Sequence, residues 1–186
     1  LKNGDIVALD AKISLDEHAA YRHSEYKHFQ DDYETNTREL KSLRYGFSYH
    51  EYNGNIGCIV NGDGLALAMM NLMRNGADSI ACTLNVKGSF DRDKIAAGIK
   101  IIAGNPRVEG IVIYILGGFL RCDLIADGII DAAAEVGMNI PLVVRLEGTN
   151  RDEACDALKQ AKLPLIMADT MEDAVDKILT AVDMEE

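Results

Sequence analysis

The chain has 186 residues, a length that sets a prior of one domain and a fraction. Its 48% apolar and 26% charged residues exclude a disordered tail, a collagen-like fibre and a disulfide-framed miniprotein. Lys plus Arg number 19 against 30 Asp plus Glu, a formal charge of −11. That balance argues against nucleic-acid or anionic-membrane partners, so an anionic ligand must be held locally by backbone N–H groups and a few cations.

No apolar run reaches the ~18 residues of a membrane span, and no charged-then-apolar leader opens the sequence. Leu1 stands where a methionine would, so a fragment of a longer polypeptide is expected. Cys58, Cys82, Cys122 and Cys155 form no C-x-x-C pair. Each lies among apolar residues, which predicts buried reduced thiols and a cytoplasmic protein, or a mitochondrial matrix one in a eukaryote.

In chain order, Ile6–Leu9 has the composition of a strand. Residues 16–45 then hold His18, His23, His28 and most of the tyrosines. The composition shift near residue 45 places a boundary there, dividing the chain into 1–45 and 46–186. Asn55–Val60 is a β-rich run stopped by Asn61-Gly62-Asp63-Gly64. Leu65, Met69, Leu72 and Met73 follow at helical spacing, ending at Gly76. Ile80–Val86 is the next strand, and Ile95, Ile99 and Ile102 mark a helix from about Asp91 to Ala103.

Ile111–Leu116 is nearly all apolar, as expected of a parallel strand covered on both faces. It ends at Gly117-Gly118, and Ile125, Ile129, Ala132 and Val136 define a helix stopped by Gly137. Leu142–Leu146 is a strand, and Asn150 with Glu153 resembles a capping box. Pro164–Ala168 is a short strand before a last helix with Val175, Ile178, Leu179 and Val182. Alternating strands and helices predict an α/β fold, a doubly wound parallel sheet of five strands over Ile56–Val182. Ligands of such sheets gather at the carboxyl ends of the strands.

Two strand ends carry glycine-rich turns into helices. Asn61-Gly62-Asp63-Gly64 exposes N–H groups at a helix N-terminus, an arrangement that binds anions. It fits the dinucleotide fingerprint poorly, because Leu67 stands at the third small position and Asn85 replaces the ribose-binding acid. Gly117-Gly118-Phe119-Leu120-Arg121-Cys122-Asp123 is the second junction. There Gly117 and Gly118 open the backbone to a ligand and Arg121 can aim its charge at the same anion. A tight turn alone would also explain the two glycines. His18, His23, His28 and His50 share no ligand spacing, so they are expected to be solvated or packed. Glu147 is a loop carboxylate with a candidate interface role, and Met69, Met70 and Met73 are expected to fill the core.

Four blocks resemble the β subunits of succinyl-CoA synthetases and, more widely, ADP-forming acyl-CoA ligases. They are Ala8–Ile13, Gly54–Gly62, Gly117–Gly128 and Val143–Asn150. The resemblance covers essentially the whole chain. It implies the tail of an ATP-grasp domain followed by a flavodoxin-like CoA-ligase domain. It also implies an acid-thiol ligase in which ATP or GTP phosphorylates a histidine of an α subunit. The phosphoryl group then passes to a carboxylate, and CoA displaces it as a thioester.

In these terms Asp10 matches a Mg²⁺ aspartate of the ATP-grasp domain. Asn61, Gly118, Phe119 and Leu120 match substrate-binding positions. Gly117 and Arg121 are expected to stabilise the phosphoryl group before a helix opening at Leu120, and Phe119-Leu120 is expected as an exposed apolar pair that the α partner covers. The phosphohistidine belongs to the α partner, so no catalytic residue is expected here and the fragment alone should be inert. The sequence departs from the family at Asp63, where a small residue is usual, at Asn85-Val86-Lys87-Gly88-Ser89, where Asp-Val-Gly-Gly-Gly is usual, and at Tyr114, where Asn is usual. Those departures open citrate or malate as alternative acids. A non-catalytic nucleotide-binding or subunit-interaction domain is a further alternative.

Overall fold

The computed structural model describes residues 4, 6–13, 15–29, 36–73, 79–87 and 91–183, without the side chains of residues 17, 18, 20, 27, 28 and 119. The chain divides into two compact units, Leu1–Thr35 and Asn36–Glu186. In the first, Glu17–Arg22 and Ser24–His28 form short 3-10 turns. Ile6, Val7 and Leu9 are exposed and belong to no strand. The strand expected there is absent because a strand needs a hydrogen-bonding neighbour, and none lies beside it among the described residues.

The second unit begins with α1 (Thr37–Arg44), whose first turn is capped by Asn36 accepting from the Arg38 N–H at 2.9 Å. This helix packs on β1 (Ser48–Glu51) and so belongs with the sheet. The unit therefore starts earlier than the composition shift at residue 45 suggests. The remaining elements are β2 (Ile56–Val60), α2 (Asp63–Met73), β3 (Ile80–Asn85), α3 (Arg92–Ala103), β4 (Gly110–Arg121), α4 (Cys122–Val136), β5 (Leu142–Thr149), α5 (Arg151–Gln160), β6 (Leu165–Met167) and α6 (Met171–Asp183).

The sheet order is β1-β3-β2-β4-β5-β6. Strands β2 to β6 are parallel, as the apolar runs predict. A sixth strand joins them: β1 lies antiparallel on β3, with Ser48 opposite Asn85 and Glu51 opposite Cys82. Its Ser-Tyr-His-Glu sequence carries no apolar run because an edge strand keeps one side free. Residues of opposite parity feed two cores. Ile59, Leu84, Ile113 and Leu146 pack with α3 and α4, while Cys58, Val60, Val112 and Val143 pack with α2 and α6. Each fully buried Ile contributes about 1.5–3 kcal/mol relative to exposure. Helix α4 ends on Gly137 in the left-handed region at φ 60°, which glycine adopts without a Cβ penalty.

The β1 edge is locked by a polar cluster around Glu51. Its carboxylate accepts from Tyr49 Oη at 2.8 Å and Arg38 Nη1 at 2.9 Å, and Arg107 Nη2 lies 3.4 Å away. Desolvation pushes the Glu51 pKa up, but the Tyr49 and Arg38 hydrogen bonds outweigh it and hold the carboxyl below its ordinary value. A depressed carboxylate stabilises the fold above its unfolded-state pKa and loses that contribution as pH falls through the folded value. Glu51→Gln should therefore cost about 1–3 kcal/mol near neutral pH. The gap to wild type should narrow on acidification below the ordinary carboxylate pKa, as read from urea midpoints across a pH series.

Candidate functional site

Strand order reverses between β2 and β4: the chain leaves β2 for β3 on one side, and β4 lies on the other. A parallel sheet opens a crevice at such a point, outside the carboxyl ends of the strands. Asn61 stands at its mouth. Its Nδ2 donates to the Leu116 carbonyl at 2.6 Å, and its Oδ1 accepts from the Leu116 N–H at 3.1 Å. One side chain thus replaces a backbone partner and carries the ladder across the reversal.

Beyond Asn61 the chain turns at Gly62, whose carbonyl takes the N–H groups of Leu65 and Ala66 at 3.1 Å each. Helix α2 opens on Asp63, which accepts from Asn85 Nδ2 at 2.6 Å. An ionised carboxylate only accepts, so it fixes which end of the buried Asn85 amide faces it. The two departures from the family pattern at 63 and 85 therefore form one pair. Lys87 is exposed beyond β3, and Gly88 and Ser89 lie outside the described residues.

The second junction differs from its expected form. Strand β4 continues through Gly117 and Gly118 in extended backbone, and α4 starts at Cys122 rather than Leu120. Pairing with β5 steps from Leu116↔Glu147 to Arg121↔Thr149. Residues 117–120 are thus set against Gly148 alone, a wide bulge of the kind that re-aims backbone groups. Among the described residues, its two chain neighbours aside, nothing lies within 4 Å of a Cβ placed at Gly118, so the surrounding fold does not demand glycine there. Leu120 is half-buried against the α3–α4 core, which leaves less of it for a partner than the expected exposed pair. The Phe119 side chain lies outside the described ones.

Arg121 does not aim at open crevice. Its Nε donates to Asp123 Oδ1 at 2.9 Å and its Nη2 to Oδ2, a two-pronged grip. The Arg121 hydrogen bond is the main reason the Asp123 carboxyl sits well below the usual carboxylate range. Desolvation opposes it, and the nearby Asn150 side chain lowers the pKa further. Asn150 makes no cap for α5 and sits in the left-handed region at φ 58°. The capping box expected with Glu153 does not form, because Asn150 enters α5 with left-handed rather than the extended backbone of a capping residue. At the end of β5, Glu147 lies 2.7 Å from Arg145 and 3.7 Å from Arg151.

The sequence offers further candidates elsewhere along the chain. Asp10 is exposed and accepts from its neighbour's N–H, that of Ala11, at 2.7 Å. Among the described residues no three His, Cys, Asp or Glu gather into a metal-binding group; Asp10 offers one exposed carboxylate, a single hard oxygen ligand of the kind Mg²⁺ takes. His23 pairs with Glu25 at 2.9 Å and stacks on Tyr26, His50 is exposed on β1, and the side chains of His18 and His28 lie outside the described ones. The four thiols are free; Cys58, Cys82 and Cys122 are buried and Cys155 half-buried. Burial pushes the Cys82 thiol up to about 11, a poor nucleophile at neutral pH. Among the described residues no helix is long and apolar enough to cross a membrane.

Residues 59–179 match the CoA-ligase family. This chain belongs to that family. It is 44% identical over 179 residues to the succinate–CoA ligase [ADP-forming] subunit beta of Acidiphilium cryptum, covering 96% of the chain and 45% of the relative. It is 45% identical over 181 residues to the subunit of the same name from Nitrobacter winogradskyi, covering 97% of the chain and 45% of the relative. The CoA-ligase chain thus spans less than half the length of these relatives. The ATP citrate lyase of Methanothrix soehngenii, solved with citrate and coenzyme A, shares the fold at TM-score 0.67 and 15% identity, over 89% of this chain and 52% of that one.

Neither Leu116 as the partner of Asn61 nor the segment opposite the bulge was singled out from sequence, since both depend on cross-strand register. The short apolar run ending at Leu116 was the one available signal. Removing the Asn61 amide should break both bonds at the strand reversal. Asn61→Ala is expected to cost about 1–3 kcal/mol in a urea titration of the full-length protein, with amide exchange at Leu116 accelerated.

Proposed function

We propose that this chain is the carboxyl-terminal part of the β subunit of an ADP-forming succinate–CoA ligase. The single observation that carries the reading is its 41–45% identity, over nearly all its length, to subunits so named. The crevice between β2 and β4 supports it, because it offers a carboxylate backbone N–H groups and room at Gly118. The remainder of the β chain would bind the nucleotide, and an α subunit would supply CoA binding and the phosphorylated histidine.

In this reading the γ-phosphoryl group of ATP moves to the partner's histidine nitrogen, releasing ADP. A carboxylate oxygen of the acid then takes that phosphoryl group and forms an acyl phosphate. The CoA sulfur attacks the acyl carbon, and inorganic phosphate leaves with the C–O bond electrons. This chain's residues bind and orient. The second Nδ2 hydrogen of Asn61, the one its bond to Leu116 leaves over, and the N–H groups near Gly118–Leu120 hold the acid, with Gly118 leaving room for close approach. The first N–H groups of α4, aided by the helix dipole, face the phosphoryl group. Arg121 joins them by exchanging Asp123 for the incoming anion. Mg²⁺ would neutralise the triphosphate charge, with Asp10 as one carboxylate ligand from this chain.

The test uses the full-length β chain with its α partner, ATP and CoA, against succinate, malate and citrate. Succinyl-CoA should form fastest, and no thioester from any acid would overturn the reading. Gly118→Ala then separates fold from function. It should leave the urea midpoint within about 0.5 kcal/mol of wild type, as for a surface change. Its KM for the acid should rise at least about tenfold, a loss of roughly 1.4 kcal/mol of binding.

A further inference from the structure

We infer that Gly148, Thr149 and Asn150, the segment leaving β5, act as positioning residues that set the direction of the bulge's N–H groups. The inference rests on the ligase reading for its consequence, though not for its geometry. Three contacts reach three different points of the β4–α4 junction. A Cβ on Gly148 would lie 2.6 Å from the Leu120 carbonyl oxygen, 2.8 Å from that of Gly117 and 3.1 Å from Cys122 Sγ. Thr149 Oγ1 donates to the Gly118 carbonyl at 3.3 Å, and Thr149 faces Arg121 in the ladder. The Asn150 side chain approaches Asp123 and helps hold its carboxyl below the usual range, and its left-handed backbone, which Asn tolerates better than most residues, turns the chain into α5.

The consequence follows from the planarity of the peptide bond. A carbonyl and the N–H that follows it rotate together. The two carbonyls that converge on Gly148 belong to the same peptide planes as the N–H groups of Gly118 and Arg121. The carbonyl held by Thr149 shares its plane with the Phe119 N–H. Any side chain at 148 would push the first two carbonyls away by several tenths of an ångström. The N–H groups offered to the acid would turn with them. The small residue at 148 thus serves the site from the neighbouring strand, without touching the ligand.

Two variants of the full-length complex test this. Gly148→Ala should raise the KM for succinate at least tenfold while leaving the KM for ATP unchanged. Thr149→Val, which keeps the shape and loses the hydroxyl, should raise it several-fold, and Thr149→Ser should restore it. Hydrogen exchange at amides 117–122 should quicken in both Gly148→Ala and Thr149→Val. A succinate KM unchanged in both, or one that rises in step with the ATP KM, would overturn the positioning role. Unchanged exchange in both variants would overturn the geometric claim. If the wild-type complex makes no thioester at all, the ligase reading fails, and the exchange data alone decide whether the segment holds the bulge.

Discussion

The arrangement depends on one constraint, the reversal of strand order between β2 and β4. Neighbouring parallel strands whose connections leave in opposite directions part at their carboxyl ends, and the gap exposes backbone groups that must find partners. Asn61 closes the lower part of that gap by bonding both backbone groups of Leu116. Above it the ladder fails, and residues 117–120 bow out against Gly148. The same break in pairing that would weaken an ordinary strand turns the backbone of residues 117–120 out of the regular ladder at a helix entrance. Structure and site arise from a single feature of topology.

Electrostatics at this end of the sheet follow a second pattern. The chain carries a formal −11, which would repel an acid or a phosphoryl group if its carboxylates faced the crevice unpaired. Three carboxylates near the crevice instead have donors of their own. Asp63 takes the Asn85 amide, Asp123 takes Arg121, and Glu147 is flanked by Arg145 and Arg151. Local pairing shortens the reach of these charges, so the neutral N–H dipoles of the bulge and of α4 can dominate at close range. Arg121 is the member of this set able to change partners, being exposed on a strand end.

The five parallel strands were legible because each is covered on both faces and therefore nearly all apolar. Strand β1 was not, since Ser48–Glu51 packs by one side and draws its stability from the polar lock at Glu51. The boundary near residue 45 misjudged α1 for a similar reason: Thr-Arg-Glu-Leu-Lys-Ser-Leu-Arg has the polarity of a linker yet lies against β1 and α3. At the site, Asn61, Gly117, Gly118 and Arg121 could be named from spacing and resemblance. What they do could not. That Asn61 spends its amide on Leu116, that Arg121 grips Asp123, and that Gly148 underlies the bulge all follow from register, which no single strand encodes. Asn150 shows the converse, a capping signal in sequence that a left-handed backbone leaves unused.

The most direct test of the account is a crystal structure of the full-length β chain with its α partner, soaked with succinate. The acid should lie in the crevice between β2 and β4, one carboxylate within hydrogen-bond reach of the N–H groups at Gly118–Leu120 and close to Asn61. Succinate bound only elsewhere, with those N–H groups untouched, would contradict the claim that the strand reversal builds the site.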